Sequence, residues 1–251
     1  MKVLIISDIH ANYDGLKAVW EKEKDSDLIL CLGDHVDWGF YPHEVINWFR
    51  EHNTVCVAGN HDHETLNAYD KGIRLPTDGS PYTFQHYTTS RLTEEDVAWL
   101  RALPDERMLS IDGWQIFMRH YPSDNDDKGM HTVHASLLDF STVAWCDKEW
   151  EILTGNAPSH FEKRLLLYGH THQCQILQPG CGYMVVNPGS LAYRVCSDSI
   201  AKGADYIVMQ DGCFTPHHIN YPVEHLSAMV DRENFVPEVN RPSHVYFGVQ
   251  T

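Results

Sequence analysis

Four short fragments of this 251-residue chain combine carboxylates and imidazoles at spacings that suit a bound metal ion. They are Asp8-Ile9-His10, Gly33-Asp34-His35-Val36-Asp37, Gly59-Asn60-His61-Asp62 and Gly169-His170-Thr171-His172, with His120 as a fifth element. An Asp-x-His arises about once by chance at this composition, but Gly-Asn-His and Gly-His-x-His each arise less than roughly 0.1 times. Their joint occurrence in this order therefore carries the argument. Residues i and i+2 leaving a strand point to the same side, so Asp8 and His10 can grip one ion. Carboxylate and imidazole ligands without thiolate favour Mn, Fe or Zn over Cu(I) or an iron–sulfur cluster. The two oxygens of Asp34 can bridge two cations about 3.5–4 Å apart, a pair suited to in-line displacement at phosphorus.

Plainer readings stand beside these. Taken alone, Asp8 and His10 are a strand-end capping pair, and His170 and His172 are surface-loop histidines. Asn60 can cap the following helix, but its amide oxygen cannot cap and ligate at once. Asp37 suits a hydrogen bond to a ligating histidine. His35, His43, His63 and His86 read as ordinary, partly exposed side chains, and His217-His218 as structural. Arg194 is either a surface cation or a bidentate phosphate donor. Trp38, Phe40 and Tyr41 form either a loop cluster facing the core or a surface that stacks on a base or aryl group.

The elements around these fragments alternate strand and helix. Apolar runs predict strands at Val3 to Ile6, Leu28 to Leu32 and Val55 to Val57. Helical periodicity predicts helices over Tyr13 to Lys24 and His43 to Glu51, the second opened by Pro42. Each candidate ligand in this half follows a strand, where open α/β sheets place their sites. From about Glu64 to Leu103 the chain reads as helical, with a helix start at Thr93-Glu94-Glu95-Asp96. Strands are predicted next at Arg107 to Ile111, Trp114 to Arg119, Leu165 to Tyr168, Tyr183 to Val186, Tyr206 to Gln210 and Phe214 to Ile219. Asp112-Gly113 and Asp211-Gly212 imply hairpin turns. Ser123 to Met130 is a polar, acidic loop. Residues 1–251 are expected to form a single domain, with 234–251 a surface tail.

Composition narrows the partners. Apolar residues at 43 % suffice for a sizeable core. A net charge of −16 disfavours duplex nucleic acid but leaves small phosphorylated substrates open, because bound cations reverse the local field. No apolar run approaches the length of a membrane span, and no leader pattern is evident, so a cytoplasmic protein without a membrane partner is expected. The seven scattered cysteines form no C-x-x-C pair and read as reduced thiols, Cys31 and Cys56 among core positions. Oligomeric state has no signature in the sequence.

Taken together, the fragments resemble the calcineurin-like metallophosphoesterases, whose pattern is D-x-H, G-D-x-x-D, G-N-H-[DE], a lone His and G-H-x-H. The resemblance covers residues 8 to 172 and, more loosely, Asn187-Pro188-Gly189-Ser190. The Ser7-to-Asn12 opening and Tyr41-Pro42-His43-Glu44-Val45 are similar to a small bacterial and archaeal branch that includes phosphodiesterases and dinucleoside polyphosphate hydrolases. The resemblance implies a four-layer α/β/β/α sandwich with two mixed sheets. It implies one divalent metal on Asp8, His10, Asp34 and His172, and a second on Asp34, Asn60, His120 and His170, with Mn favoured over Fe or Zn. It further implies His61 as general acid with Asp62 orienting its ring, and attack on a phosphodiester or nucleoside polyphosphate by a metal-bridging hydroxide. Asn60, Arg194 and Trp38 are candidate substrate contacts. A phosphomonoesterase or protein phosphatase, and a non-catalytic scaffold of the same fold, are the alternatives. Two departures are visible. Trp38 stands where the protein phosphatases carry an Arg after the second Asp, and no Gly follows His120, which leaves His131 and His134 as rivals for the lone ligand.

Overall fold

Alternation of apolar side chains along the central strands decides the architecture. In the computed structural model, which describes residues 1–122, 142–158, 162–196 and 199–236, β1 (Lys2–Ile6) buries Val3 and Ile5 on one face and Leu4 and Ile6 on the other. A strand buried on both faces belongs between two layers. The same split recurs in β2 (Leu28–Cys31), with Leu30 on one side and Ile29 and Cys31 on the other. In β5 (Trp114–Arg119) and β6 (Lys163–Leu167), Ile116, Met118, Leu165 and Leu167 meet the side chains of β1 and β2, while Phe117 and Leu166 face away.

Two five-stranded mixed sheets result. β12 (Cys213–Ile219), β11 (Ala204–Gln210), β1, β2 and β3 (Thr54–Cys56) form the first in that order, with β1, β2 and β3 parallel. β4 (Glu106–Ile111), β5, β6, β8 (Tyr183–Pro188) and β7 (Cys174–Gly180) form the second, with β5, β6 and β8 parallel. β9 (Arg194–Cys196) and β10 (Ser199–Ala201) make a small separate ribbon. The outer face of the first sheet is covered by α1 (Tyr13–Glu23), α2 (Pro42–Glu51), α4 (Phe84–Arg91) and α7 (Glu224–Arg232) through Leu16, Val45, Tyr87 and Leu226. α6 (Val143–Thr154) covers the second sheet with Cys146 and Trp150. α3 (Asn60–Asp70) and α5 (Glu94–Ala102) pack beside α2. The layers are therefore α/β/β/α.

Both expected hairpins form: Ile111 pairs with Trp114 and Gln210 with Cys213. Asp112, Gly113, Asp211 and Gly212 all have positive φ, which the two-residue type I′ turn demands. Of the expected surface tail over 234–251, residues 237–251 lie outside the described residues, and Phe235 departs from the expectation. Phe235, placed by sequence in a surface tail, is 6 % exposed, because its ring fills the gap among Phe40, Phe84 and Tyr87 and its backbone bridges to Tyr82. Among the described residues, no helix is long and apolar enough to cross a membrane.

Candidate metal centre and active site

Every candidate ligand lies just beyond a parallel strand, at the shared carboxyl edge of the two sheets. Asp8 and His10 follow β1, Asp34 follows β2, Asn60 opens α3 after β3, His120 follows β5, and His170 and His172 follow β6. The turns that aim them are strained. Asp8, His10, Asp34, His170 and His172 all have φ between 48° and 68°, a left-handed conformation uncommon outside glycine. Strain of about 1–3 kcal/mol per residue persists where surrounding structure over-determines it, and clusters at functional sites. Glycines let the loops approach: a Cβ on Gly59 would stand 2.1 Å from Asp34 Oδ1, and one on Gly169 would stand 2.0 Å from Ser7 Oγ.

The side chains converge in two overlapping groups. Asp8, His10 and His172 place one ligand atom each within 4.8 Å of the others, and so do Asp34, His120 and His170. Asp34 links the groups, its Oδ2 lying 3.1 Å from His120 Nε2 and 3.7 Å from His10 Nε2. Asn60 joins the second group, with its Oδ1 3.0 Å from His170 Nδ1. Gly59, not Asn60, is the helix cap, so the Asn60 amide is free of that duty. His120 is thereby placed in the site; its rivals His131 and His134, and the Ser123 to Met130 loop, lie outside the described residues.

These groups suit cations better than each other. His10 Nε2 and His172 Nε2 stand 3.2 Å apart, a spacing that requires a proton or a cation between two nitrogens. Asp8 Oδ1 lies 3.2 Å from His172 Nε2 yet makes no hydrogen bond of ordinary geometry, and His120 Nε2 is likewise buried without one. Burial drives His10 down to about 3 and His170 down to about 4, so both are neutral imidazoles, the form that ligates. At His120 burial acts the same way, but the charge of Asp34 outweighs it and lifts the ring to about 9. A protonated His120 thus compensates carboxylate charge that a cation would otherwise meet.

The outer nitrogens are held from behind. His120 Nδ1 donates to Leu32 O at 2.6 Å and His172 Nδ1 to Tyr193 O at 3.3 Å, leaving each Nε2 to face the centre. Asp8 is fixed by the backbone N–H of His170 at its Oδ2, while Ser190 Oγ donates to Asp8 O. Asn187 Nδ2 donates to Gly169 O and Thr171 Oγ1, which accounts for the Asn187-to-Ser190 motif.

His61 sits beside Asp34, receiving support from it through the backbone N–H of His61 to Asp34 Oδ1 at 2.9 Å. Here the structure corrects the sequence reading. Asp37, not Asp62, contacts the ring, with Oδ2 3.0 Å from Nδ1. Trp38 Nε1 is 3.2 Å from the same nitrogen, which cannot donate to one and accept from the other at once. The charge-assisted bond to Asp37 is the stronger, so Nδ1 carries its hydrogen there. Burial opposes protonation of His61, but Asp34 and Asp37 together raise it to about 10.

Asp62 turns inward because it is the third residue of α3 and folds back on the helix start. It accepts from the backbone N–H groups of Gly59, His35 and Val36 and pairs with His35 Nδ1 at 2.9 Å. His35, expected to be partly exposed, is fully buried as a result. Asp62→Ala should therefore lower folding stability by about 3 kcal/mol or more, leaving a buried imidazole and three donors unpaired. Asp37→Asn should instead lower turnover roughly tenfold with little change in melting temperature. Thermal melts and steady-state rates on both variants check the exchange of roles; a stable Asp62→Ala protein would refute it.

The remaining candidates divide. Trp38 lies edge-on to His61 and stacks near Phe84, so it borders the site. Arg194 is paired through Nε to Asp205 Oδ2 at 2.7 Å, and His218 shares that carboxylate. Tyr193 was not singled out by sequence, yet its ring lies 4.2 Å from that of His172. Nothing local marks it beyond its position three residues past Ser190. Tyr121 similarly borders His170, at 5.6 Å between centroids.

Comparison with known proteins places the chain in a family. The model of the calcineurin-like phosphoesterase superfamily domain matches residues 1–207. A metallophosphoesterase from Sphaerobacter thermophilus superposes with a TM-score of 0.66 at 21 % identity, covering 98 % of this chain and 100 % of that one. A hypothetical protein from Pyrococcus horikoshii gives 0.71 at 18 % identity over 96 % of both chains. A structure named as a putative diadenosine tetraphosphatase gives 0.52 at 16 % identity, covering 88 % of this chain and 94 % of that one. An uncharacterized protein of Methanocaldococcus jannaschii is 41 % identical over 66 residues, which span 26 % of this chain and 27 % of that relative. The chain belongs to the calcineurin-like phosphoesterase superfamily and is, by class, a phosphoric ester hydrolase.

Proposed function

We propose that the protein hydrolyses a small phosphodiester or nucleoside polyphosphate at a pair of divalent cations. Asp8, His10, Asp34 and His172 would hold one, and Asp34, Asn60, His120 and His170 the other. The observation that carries this reading is Asp34, whose one carboxylate serves both groups of neutralised or charge-balanced imidazoles. Such a pair supplies Lewis acidity toward the phosphoryl oxygens and a nucleophilic water near neutral pH. Mn suits the mixed carboxylate, amide and imidazole set best, with Fe and Zn next.

The chain's own residues do the rest. Asp37 holds the His61 ring with Nδ1 protonated, which leaves Nε2 as the atom that hands a proton to the departing oxygen. Trp38, Tyr121 and Tyr193 rim the centre with aromatic surface on three sides, next to His61, His170 and His172. Aromatic faces of this kind suit a base or aryl ester better than a bare phosphate. The diadenosine tetraphosphatase name of one structural neighbour is consistent with such a substrate.

The test is hydrolysis of bis-p-nitrophenyl phosphate by Mn-loaded protein, with the chelated protein and Asp34→Asn as controls. Metal-dependent release of p-nitrophenol is expected. Turnover of p-nitrophenyl phosphate but not of the diester would replace the diester reading with a monoesterase. The chelated protein should also melt at a lower temperature than the Mn-loaded one, since a ligand bound only by the folded state stabilises it. Equal melting temperatures across a Mn titration would count against resident metal.

A further inference from the structure

Behind the centre, on the helix-covered face of the first sheet, lies a thiol pair that the phosphoesterase reading does not use. β2 and β3 place Cys31 and Cys56 opposite each other as registered partners. Adjacent strands lie about 4.7–4.9 Å apart, inside the roughly 4.4–6.8 Å between Cα atoms that a disulfide spans. Both side chains join the same buried cluster, near enough for each to perturb the other's ionisation.

The two cysteines differ in access and in charge. Cys31 is fully buried, whereas Cys56 is 6 % exposed and lines a groove of about 360 Å³ at the open edge of the sheet, with Thr54, Trp99, Leu103 and Arg107. The His35 ring, bonded to Asp62 through Nδ1 at 2.9 Å, packs beside Cys56. Burial pushes both thiols up. At Cys56 the neighbouring Cys31 thiol works against burial and the thiol comes down to about 5, while Cys31 stays well above the ordinary thiol range. A thiol that lines a groove and is backed by a second, fully buried thiol is the arrangement of a reactive cysteine with its resolving partner.

We propose that Cys31 and Cys56 form an oxidisable dithiol, with Cys56 the thiol attacked through the groove by hydrogen peroxide and Cys31 the resolving thiol. The Cys56 thiolate attacks one peroxide oxygen, the O–O bond breaks, and the released hydroxide takes a proton to leave as water. The Cys31 sulfur then attacks the Cys56 sulfenic sulfur, the S–O bond breaks, and a second water departs. The two thiols are oxidised to one disulfide as one peroxide is reduced to two waters. The bond has a direct route to the active site. β2 runs into Gly33-Asp34 and β3 into Gly59-Asn60, and these turns touch so closely that a Cβ on Gly33 would stand 2.6 Å from Gly59 N. Oxidation at Cys31 and Cys56 therefore acts three residues before Asp34 and four before Asn60, on the strands that carry them.

The experiment treats metal-free protein with hydrogen peroxide, blocks remaining thiols with N-ethylmaleimide and maps the peptides by mass spectrometry. The expected result is a loss of about 2 Da and a Cys31–Cys56 linked peptide, both reversed by dithiothreitol. In Cys31→Ala the reaction should stop at a sulfenic acid on Cys56 that dimedone captures, and in Cys56→Ala the Cys31 thiol should stay reduced. Mapping of the unmutated protein stands alone should either variant fail to fold. Oxidation confined to the exposed Cys181 and Cys213, or a linkage that omits Cys56, overturns the proposal. This readout needs neither metal nor turnover, so it is independent of the substrate assignment.

Discussion

Asp34→Asn is expected to lower turnover of the Mn-loaded protein by about 10³-fold or more, with metal content reduced and far-UV circular dichroism unchanged. The expectation follows from what each carboxylate oxygen does. Oδ1 accepts the backbone N–H of His61 at 2.9 Å, so it fixes the orientation of the group. Oδ2 is then left facing His120 at 3.1 Å and His10 at 3.7 Å, between the two ligand sets. Asparagine can keep the first contact through its amide oxygen, which preserves the turn. Its NH₂ then replaces Oδ2 and presents hydrogens where negative charge is needed. The shape survives while the bridge is lost, which makes this variant more informative than alanine. Steady-state rates on bis-p-nitrophenyl phosphate and elemental analysis of the dialysed protein provide the check. Turnover within about tenfold of the parent, at equal metal content, would mean that Asp34 does not link two cations.

The contrast between Asp34 and Asp62 shows what a sequence can and cannot disclose. The convergence of the candidate ligands was legible because each follows an apolar run that must be a strand, and parallel strands gather their carboxyl ends on one edge. β1, α1, β2, α2 and β3 were legible for the same reason: Val3 to Ile6 and Leu28 to Leu32 alternate between two buried faces, and Pro42 marks a helix start. The partner of His61 was not. Asp62 is the next residue along the chain whereas Asp37 lies 24 residues away, and only the packing of α3 decides between them. A signal existed: an acidic residue three positions after a helix cap tends to bond back to the cap, as Asp62 does to Gly59 N at 2.9 Å. β7 escaped notice because it is an edge strand with Pro179 and half-buried side chains, and so lacks the alternation of a central strand. Tyr193 reaches His172 only through the crossing of two loops distant from each other along the chain, which no local pattern encodes. Phe235 was misplaced because a lone aromatic near a chain end carries no period, although the gap it fills among Phe40, Phe84 and Tyr87 is specific.

His61→Gln should separate the proton-transfer role of this residue from the metal centre. Glutamine retains a polar side chain of similar reach beside Asp37 but has no titratable proton to give. The His61 backbone N–H that holds Asp34 is untouched by the change, so metal content should stay at the parent level. For an alkyl or ribosyl leaving group, whose oxygen must be protonated as it departs, turnover should fall about 10²-fold or more. For p-nitrophenol, which departs as a stable anion, the fall should be about tenfold or less. The ratio of the two losses is the diagnostic quantity, because a mere disturbance of the site would slow both substrates alike. Asp37→Asn should show the same bias in weaker form, since the amide can still hold the Nδ1 hydrogen by neutral hydrogen bonding but not by charge. Equal losses on both substrates would remove His61 from proton transfer. They would assign the ring instead to packing against His10 and Trp38.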